Sequence, residues 1–120
     1  MKGKPFAFRL NCAIQGFLHA YRLEPSFRFQ ALAAFLALAS LAWIRPRPLW
    51  FALIFVMVCL VLAAELVNTA VEHMLDGIHP GRAEFVRIAK DCAAASVLVL
   101  SLAAVVTYML MLVDRFSPFS

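Results

Sequence analysis

The sequence predicts an all-α transmembrane fold, and three observations carry that prediction. Hydrophobic residues make up 64% of the 120-residue chain and charged residues only 15%, against about 45–50% and about 25% in soluble domains. Three apolar stretches, Phe29 to Ile44, Leu49 to Ala64 and Cys92 to Val113, stand between polar segments. A chain of this length forms one domain, residues 1–120, too small to hide so much apolar side chain from water. The apolar stretches must therefore meet lipid.

An N-terminal amphipathic helix is expected over residues 6–23. Phe6, Leu10, Ile14, Phe17 (or Leu18) and Tyr21 recur at helical spacing, with Arg9, Gln15, His19 and Arg22 on other faces. Such a helix lies on the membrane surface with its aromatics at headgroup level, or packs facing water. Glu24-Pro25-Ser26 breaks it, because a residue before proline is pushed out of the α region. Pro25 and Ser26 suit the start of the first span, about 27–44, in which Gln30 is the last strongly polar side chain before the hydrocarbon.

Arg45-Pro46-Arg47-Pro48 is too rigid and polar to be buried and makes a tight turn into the second span, about 49–76. The first two apolar stretches are short against the ~20 residues of a bilayer core, so tilt or flanking helix must make up the difference. Gly77, His79-Pro80 and Gly81 end the second helix in a short loop. A new helix begins near Arg82 and spans about 86–113. Its Ala93, Ala94, Ala95, Ser96, Ser101, Ala103 and Ala104 let helices approach closely in lipid, which suits a central packing helix or a contact between copies. Three spans enclose little interior, so self-association is the natural way to enclose a polar site.

Of the basic residues, Lys2, Lys4, Arg9, Arg22, Arg28, Arg82, Arg87 and Lys90 fall on one side of this topology, and Arg45, Arg47 and Arg115 on the other. The positive-inside rule then puts the N-terminus in the cytoplasm. Every acid except Asp114 falls on that same side, where nucleotides and Mg²⁺ are found. Cys12, Cys59 and Cys92 lack the spacing of a disulfide or metal site and read as buried small hydrophobes. No cleaved signal peptide is expected.

The chemistry-bearing feature is a stripe on the second helix. At 100° per residue, Glu65, Asn68, Glu72 and Asp76 fall within an arc of roughly 80°. Ionisable groups at a bilayer edge are costly, which marks such a row as a functional site for divalent metal, a proton to be moved, or both. Glu65 follows the apolar run directly, and partial burial there disfavours charge, as suits a general base; the alternative is a glutamate that snorkels to water. Glu72 lies about 10.5 Å further along, too far to share one ion with Glu65. Glu24 offers a second metal oxygen, or else pairs with Arg22 or Arg28. Mg²⁺ takes one or two carboxylates plus substrate phosphates. Asn68 could hold Glu65 or a substrate oxygen, or bond between helices. Lys90 and Asp91 could serve phosphate and nucleoside, or form an interfacial ion pair. His73 and His79 flank Asp76 without the repeated Glu-x-x-His of a helical metal site, and neither receives a role. No glycine-rich phosphate loop is present.

These residues together resemble the small integral-membrane prokaryotic diacylglycerol kinase family, which includes undecaprenol kinase. Glu65-Leu-Val-Asn68-Thr69-Ala70-Val-Glu72 matches the family's E-x-x-N-[ST]-A-[IV]-E signature, with Asp76 four residues on. Ile88-Ala89-Lys90-Asp91 follows at the family's spacing, and Gln15-Gly16 leading to Glu24-x-x-x-Arg28 is a weaker match. The resemblance implies a homotrimer with three spans per chain and composite sites at the cytoplasmic face of the bacterial inner membrane. It implies Glu65 as the general base, Glu24 and Glu72 as holders of the Mg²⁺ of MgATP, Asp76, Lys90 and Asp91 as nucleotide contacts, and Asn68 in support. Where the family has a basic residue near the N-terminus, this chain aligns Pro5 between Lys4 and Arg9, and that nucleotide contact is unassigned. The family's loop histidine comes later than His79.

The implied activity is ATP-dependent phosphorylation of diacylglycerol to phosphatidic acid, or of undecaprenol to its phosphate, with lipid, ATP and membrane as partners and no nucleic acid. A proton-coupled transporter with Glu65 as carrier is the alternative from another class. It fits less well, because a transporter places its ionisable group near the midplane at repeated or broken helices.

Overall fold

The computed structural model describes residues 2–81 and 83–117. Four helices follow in order: α1 (Phe6–Leu23), α2 (Pro25–Ile44), α3 (Pro48–Ile78) and α4 (Glu84–Phe116), with no strand among the described residues. The last three are each long and apolar enough to cross a membrane. Arg82, where the last helix was expected to begin, lies outside the described residues; Ala83 is the N-cap of α4.

The α1–α2 junction turns on one residue. Glu24, ahead of Pro25, is extended at φ −111° and ψ 106°, as proline demands of its predecessor. Its N–H donates to Ala20 O at 2.9 Å while its own carbonyl accepts from Arg28 N–H at 3.2 Å. Glu24 thus closes one helix and opens the next. Arg28 donates from Nη1 to Tyr21 O and Arg22 O, satisfying carbonyls that the end of α1 leaves open.

At the opposite end of α2, Arg45 takes the left-handed conformation at φ 55°, where glycine is the usual occupant. Arg45 and Arg47 are exposed, but Pro46 between them is buried. The turn is therefore not wholly outside the packed bundle, as its composition suggested; the proline ring is apolar and folds inward while the guanidiniums stay out.

The hub is α3, which packs against each of the other helices, rather than the small-residue helix α4. Ala94, Ala95 and Ser96 of α4 are exposed in the single chain. The reason lies in the α3 pattern: Ile54, Val58, Val61, Glu65 and Thr69 recur at three- and four-residue intervals and so share one face. Of these, Ile54, Val61, Glu65 and Thr69 are buried. Ile54 meets Leu41 of α2 and Met111 of α4 in the core cluster, with Leu38, Trp50, Tyr108 and Leu112 around them. The 31 residues of α3 extend about 46 Å, beyond a hydrocarbon core of about 30 Å, so its last turns project from the apolar zone. Gly77 does not stop it; the helix runs on to Ile78.

Polar bridges set the spacing of the other helices. Gln30 Nε2 donates to Ser101 Oγ at 3.0 Å, and the Ser40 and Tyr108 hydroxyls are 2.6 Å apart. Ser40 gives its one proton to Ala37 O, which makes Tyr108 the donor in that pair. Near these bridges lies an apolar groove of about 510 Å³ with α2 and α4 as walls and Ile54, Val58 and Val61 of α3 as floor. Two ionic clamps join α3 to α4, Lys90 to Asp76 at 2.6 Å and Arg47 to Asp114 at 2.8 Å. The cysteines depart from expectation: Cys59 and Cys92 are exposed on the chain surface, Cys12 is half-buried, and all three are free thiols.

Leu41 has no exposed surface and anchors the three-helix contact. Leu41→Ala should cost about 2–5 kcal/mol, the range for a leucine deleted from a packed core. An unfolding titration in mixed micelles would measure it, and a change under about 1 kcal/mol would show that this cluster does not hold the bundle.

Candidate active site

The face of α3 that buries Ile54 and Val61 continues past the apolar run into polar residues. Glu65 is its first charged group and only 3% exposed. A buried carboxyl needs a hydrogen-bond partner, and Ser26 supplies it, its Oγ donating to Glu65 Oε2 at 3.0 Å. Thr69 Oγ1 donates back to the Glu65 carbonyl at 2.9 Å. The proline that starts α2 puts Ser26 in the first helical turn, level with Glu65. Nothing in the sequence announced this contact across 39 positions, and the serine had read only as a helix-start residue.

Asn68 does not hold Glu65 in the chain. Its Oδ1 is buried without a partner among the described residues. An unsatisfied buried acceptor costs about 1–3 kcal/mol, so this oxygen marks a place where a hydroxyl or N–H donor would be favourable.

Glu24 sits beside the end of α3. Its Oε1 lies 3.9 Å from His73 Nε2, and His73 faces His19 of α1 with ring centroids 5.2 Å apart. Arg28 is engaged with backbone carbonyls instead, so the pairing with Glu24 is not formed. The His73 contact brings the Glu24 hinge to the level of the neighbouring Glu72, which is half-buried. No group of three His, Cys, Asp or Glu side chains able to hold a metal occurs among the described residues. The oxygens of Glu24 and Glu72 are of the hard kind that a Mg²⁺ arriving with phosphate oxygens would accept.

Further from the membrane, Lys90 Nζ donates to Asp76 Oδ1 at 2.6 Å. Asp91 is held by Arg87 Nη1 at 3.1 Å, and Arg87 also grips Glu84. Lys90 and Asp91 therefore serve separate pairs on adjacent faces of α4. Arg87 had no expected part in the site; its spacing of three and four from the two acids was the signal that helical pairs give. At the other end of α1, Lys4 lies over the Phe8 ring and Pro5 is the helix N-cap. In the loop, the His79 ring packs on Phe85, and its Nδ1 is buried without a partner among the described residues.

Stripe, hinge and Lys-Asp pair thus converge on one end of the bundle. The family profile of prokaryotic diacylglycerol kinase matches residues 11–112 of this chain. The chain belongs to that family. A diacylglycerol kinase of Escherichia coli K12 is 30% identical over 102 residues, covering 85% of this chain and 84% of the relative. An undecaprenol kinase of Bacillus subtilis is 28% identical over 122 residues, covering 96% and 99%. A diacylglycerol kinase of Synechocystis is 30% identical over 92 residues, covering 76% of this chain but only 53% of that longer relative. As a prokaryotic diacylglycerol kinase family member the chain is a membrane lipid kinase, a phosphotransferase with an alcohol acceptor.

Ser26 fixes one oxygen of Glu65, and its loss leaves a buried carboxyl without that partner. Ser26→Ala should lower lipid phosphorylation about tenfold through kcat, the worth of one hydrogen bond to a charged group, while Ser26→Thr retains most of it. Equal kcat in wild type and Ser26→Ala would remove the serine from the site.

Proposed function

We propose that this kinase transfers the γ-phosphoryl of MgATP to the hydroxyl of diacylglycerol, giving phosphatidic acid, at the cytoplasmic face of the inner membrane. The observation that carries this reading is Glu65, a carboxyl buried at the end of an apolar run and held on one oxygen by Ser26. Its second oxygen is left for a substrate. The apolar groove leads toward it: Val61, one turn before Glu65, and Gln30, one turn after Ser26, both line that groove. A lipid whose chains lie there presents its hydroxyl at headgroup depth, beside Glu65.

On this reading Glu65 takes the hydroxyl proton as the oxygen attacks phosphorus. The orphan acceptor of Asn68 orients a donor on the incoming substrate. Glu24 and Glu72 would hold the Mg²⁺, which when bound spreads charge over the β and γ oxygens. Asp76, Lys90 and Asp91 contact the nucleotide, with Lys90 giving up part of its pairing to Asp76 for phosphate. Phosphoryl transfer asks little more of a protein than positioning and charge stabilisation. A site at the membrane boundary supplies the first by meeting a fixed lipid and a soluble nucleotide at one depth. The proposal includes a homotrimer, because one chain leaves Glu72 and the Asn68 oxygen without partners among the described residues.

Glu65→Gln should lower turnover about 10²–10⁴-fold, the contribution of a general base, and leave MgATP binding intact; retained turnover would sink the assignment. Glu72→Ala should raise the Mg²⁺ needed for half-maximal rate at least about tenfold, and an unchanged magnesium titration would remove it from the metal site. The lipid is decided by offering the purified protein diacylglycerol and undecaprenol with radiolabelled ATP. Diacylglycerol should be labelled faster. Preferential labelling of undecaprenol would assign the activity named for the Bacillus relative.

A further inference from the structure

At the end of the bundle opposite Glu65, three helix termini converge. Arg45 and Arg47 flank the α2–α3 turn, and Asp114 and Arg115 lie at the end of α4. These four residues line an open depression of about 320 Å³. Three guanidiniums against one carboxylate leave the depression with an excess of two positive charges.

The way these charges are spent is informative. Asp114 is saturated: Arg47 Nε and Nη2 reach it at 3.0 and 2.8 Å, and Trp50 Nε1 at 2.9 Å. Arg115 uses only Nε, on Ile44 O, and rests against Phe116. The Arg45 backbone N–H caps α2 on Leu41 O, but its guanidinium has no hydrogen bond or ion pair among the described residues, and it occupies the one left-handed backbone position of any described non-glycine residue. Glycine would adopt that conformation at less cost. An arginine held there projects an uncommitted guanidinium, and strained positions of this kind cluster at ligand clamps. Trp43, 89% exposed, stands two residues before it, as aromatic side chains do at headgroup level.

We infer that this depression is a binding site for the phosphate of an anionic phospholipid headgroup, held by Arg45 and Arg115 on the membrane boundary remote from the kinase site. Guanidinium forks match phosphate oxygens in geometry and charge. Basic pockets between membrane helices hold anionic headgroups by the same means. A lipid is favoured over a free anion because the depression lies where three apolar helices end, so acyl chains run down α2 and α4 while the phosphate meets the arginines. The inference stands apart from the kinase reading, since none of its residues belongs to the site around Glu65.

The test is native mass spectrometry of the full-length protein released from nanodiscs of equal phosphatidylglycerol and phosphatidylcholine. Wild type should retain phosphatidylglycerol preferentially. Arg45→Gly and Arg115→Gln should each reduce its retention about fivefold, the worth of one basic residue near an anionic surface, and the double variant should lose the preference attributable to this end. Arg45→Lys should keep most of it. Arg45→Gly also relaxes the turn, so it decides the matter even if the double variant does not fold. Unchanged retention in Arg45→Gly and Arg115→Gln would overturn the site. Displacement of phosphatidylglycerol by millimolar inorganic phosphate would overturn the lipid assignment in favour of a free anion.

Discussion

One hydrogen bond constrains the rest of this molecule: the Ser26 hydroxyl on the Glu65 carboxyl. A carboxyl with 3% exposure at the end of an apolar run is stable only if something polar accompanies it. That partner must come from another helix, at matching depth. Ser26 meets the condition because Pro25 starts α2 one residue earlier, and Pro25 also forces Glu24 to end α1. Three consecutive residues therefore place the surface helix, the first span and the partner of the buried acid. Shifting any one of them by a position would leave Glu65 buried and alone.

The same economy governs α3. A single helical face carries Ile54 and Val61 into the core, then Glu65 and Thr69 at the boundary, then Glu72 and Asp76 toward water. Burial falls along that line because α3 outlasts the apolar zone, so one periodicity supplies both packing and chemistry. The clamps to α4 at either end, Asp76 with Lys90 and Asp114 with Arg47 and Trp50, fix the register between the two longest helices. In an antiparallel pair, two separated polar contacts prevent a one-turn slip that apolar side chains alone would tolerate. The α2–α4 bridges through Gln30 and Tyr108 do the same for the weaker side of the bundle, and the groove beside them persists because small residues there, Ala33, Ala37 and Ala104, leave space.

Periodicity, hydropathy and proline rules were enough to read the helices, the hinge at Glu24 and the acidic stripe from the sequence, since each is a local property. What escaped was non-local. Ser26 and Glu65 are distant in the chain, and a serine after proline has an adequate local explanation. His73, which had received no role, faces Glu24 at the hinge and His19 on α1. The small residues of α4 suggested a central helix or a contact between copies; within the chain α3 with its continuous buried face is the hub, and the exposed Ala94, Ala95 and Ser96 leave the second alternative open. Pro46 is buried between two exposed arginines because composition averaged over a turn does not resolve which ring folds inward. The cysteines misled for a related reason: an apolar sequence context suggested burial, but Cys59 and Cys92 lie on the outer surface of their helices.

The position of the acidic site then follows from solvent physics. A membrane lipid cannot leave hydrocarbon and a charged phosphoryl donor cannot enter it, so a lipid kinase has a narrow layer in which to work. Placing Glu65 deeper would raise the cost of its carboxyl beyond what one serine could offset. Placing it further out would expose it to water and forfeit the strengthening that a low dielectric gives its contacts. Glu65 is the residue of α3 at which the apolar run ends and the partner from α2 is still in reach. Of the carboxylates proposed for metal, Glu72 lies two turns beyond it, where hydration is cheap and phosphates can reach. The depth order along α3 of Glu65, Glu72 and Asp76, under the roles proposed for them, follows the order in which lipid hydroxyl, γ-phosphoryl and nucleoside would line up for in-line transfer.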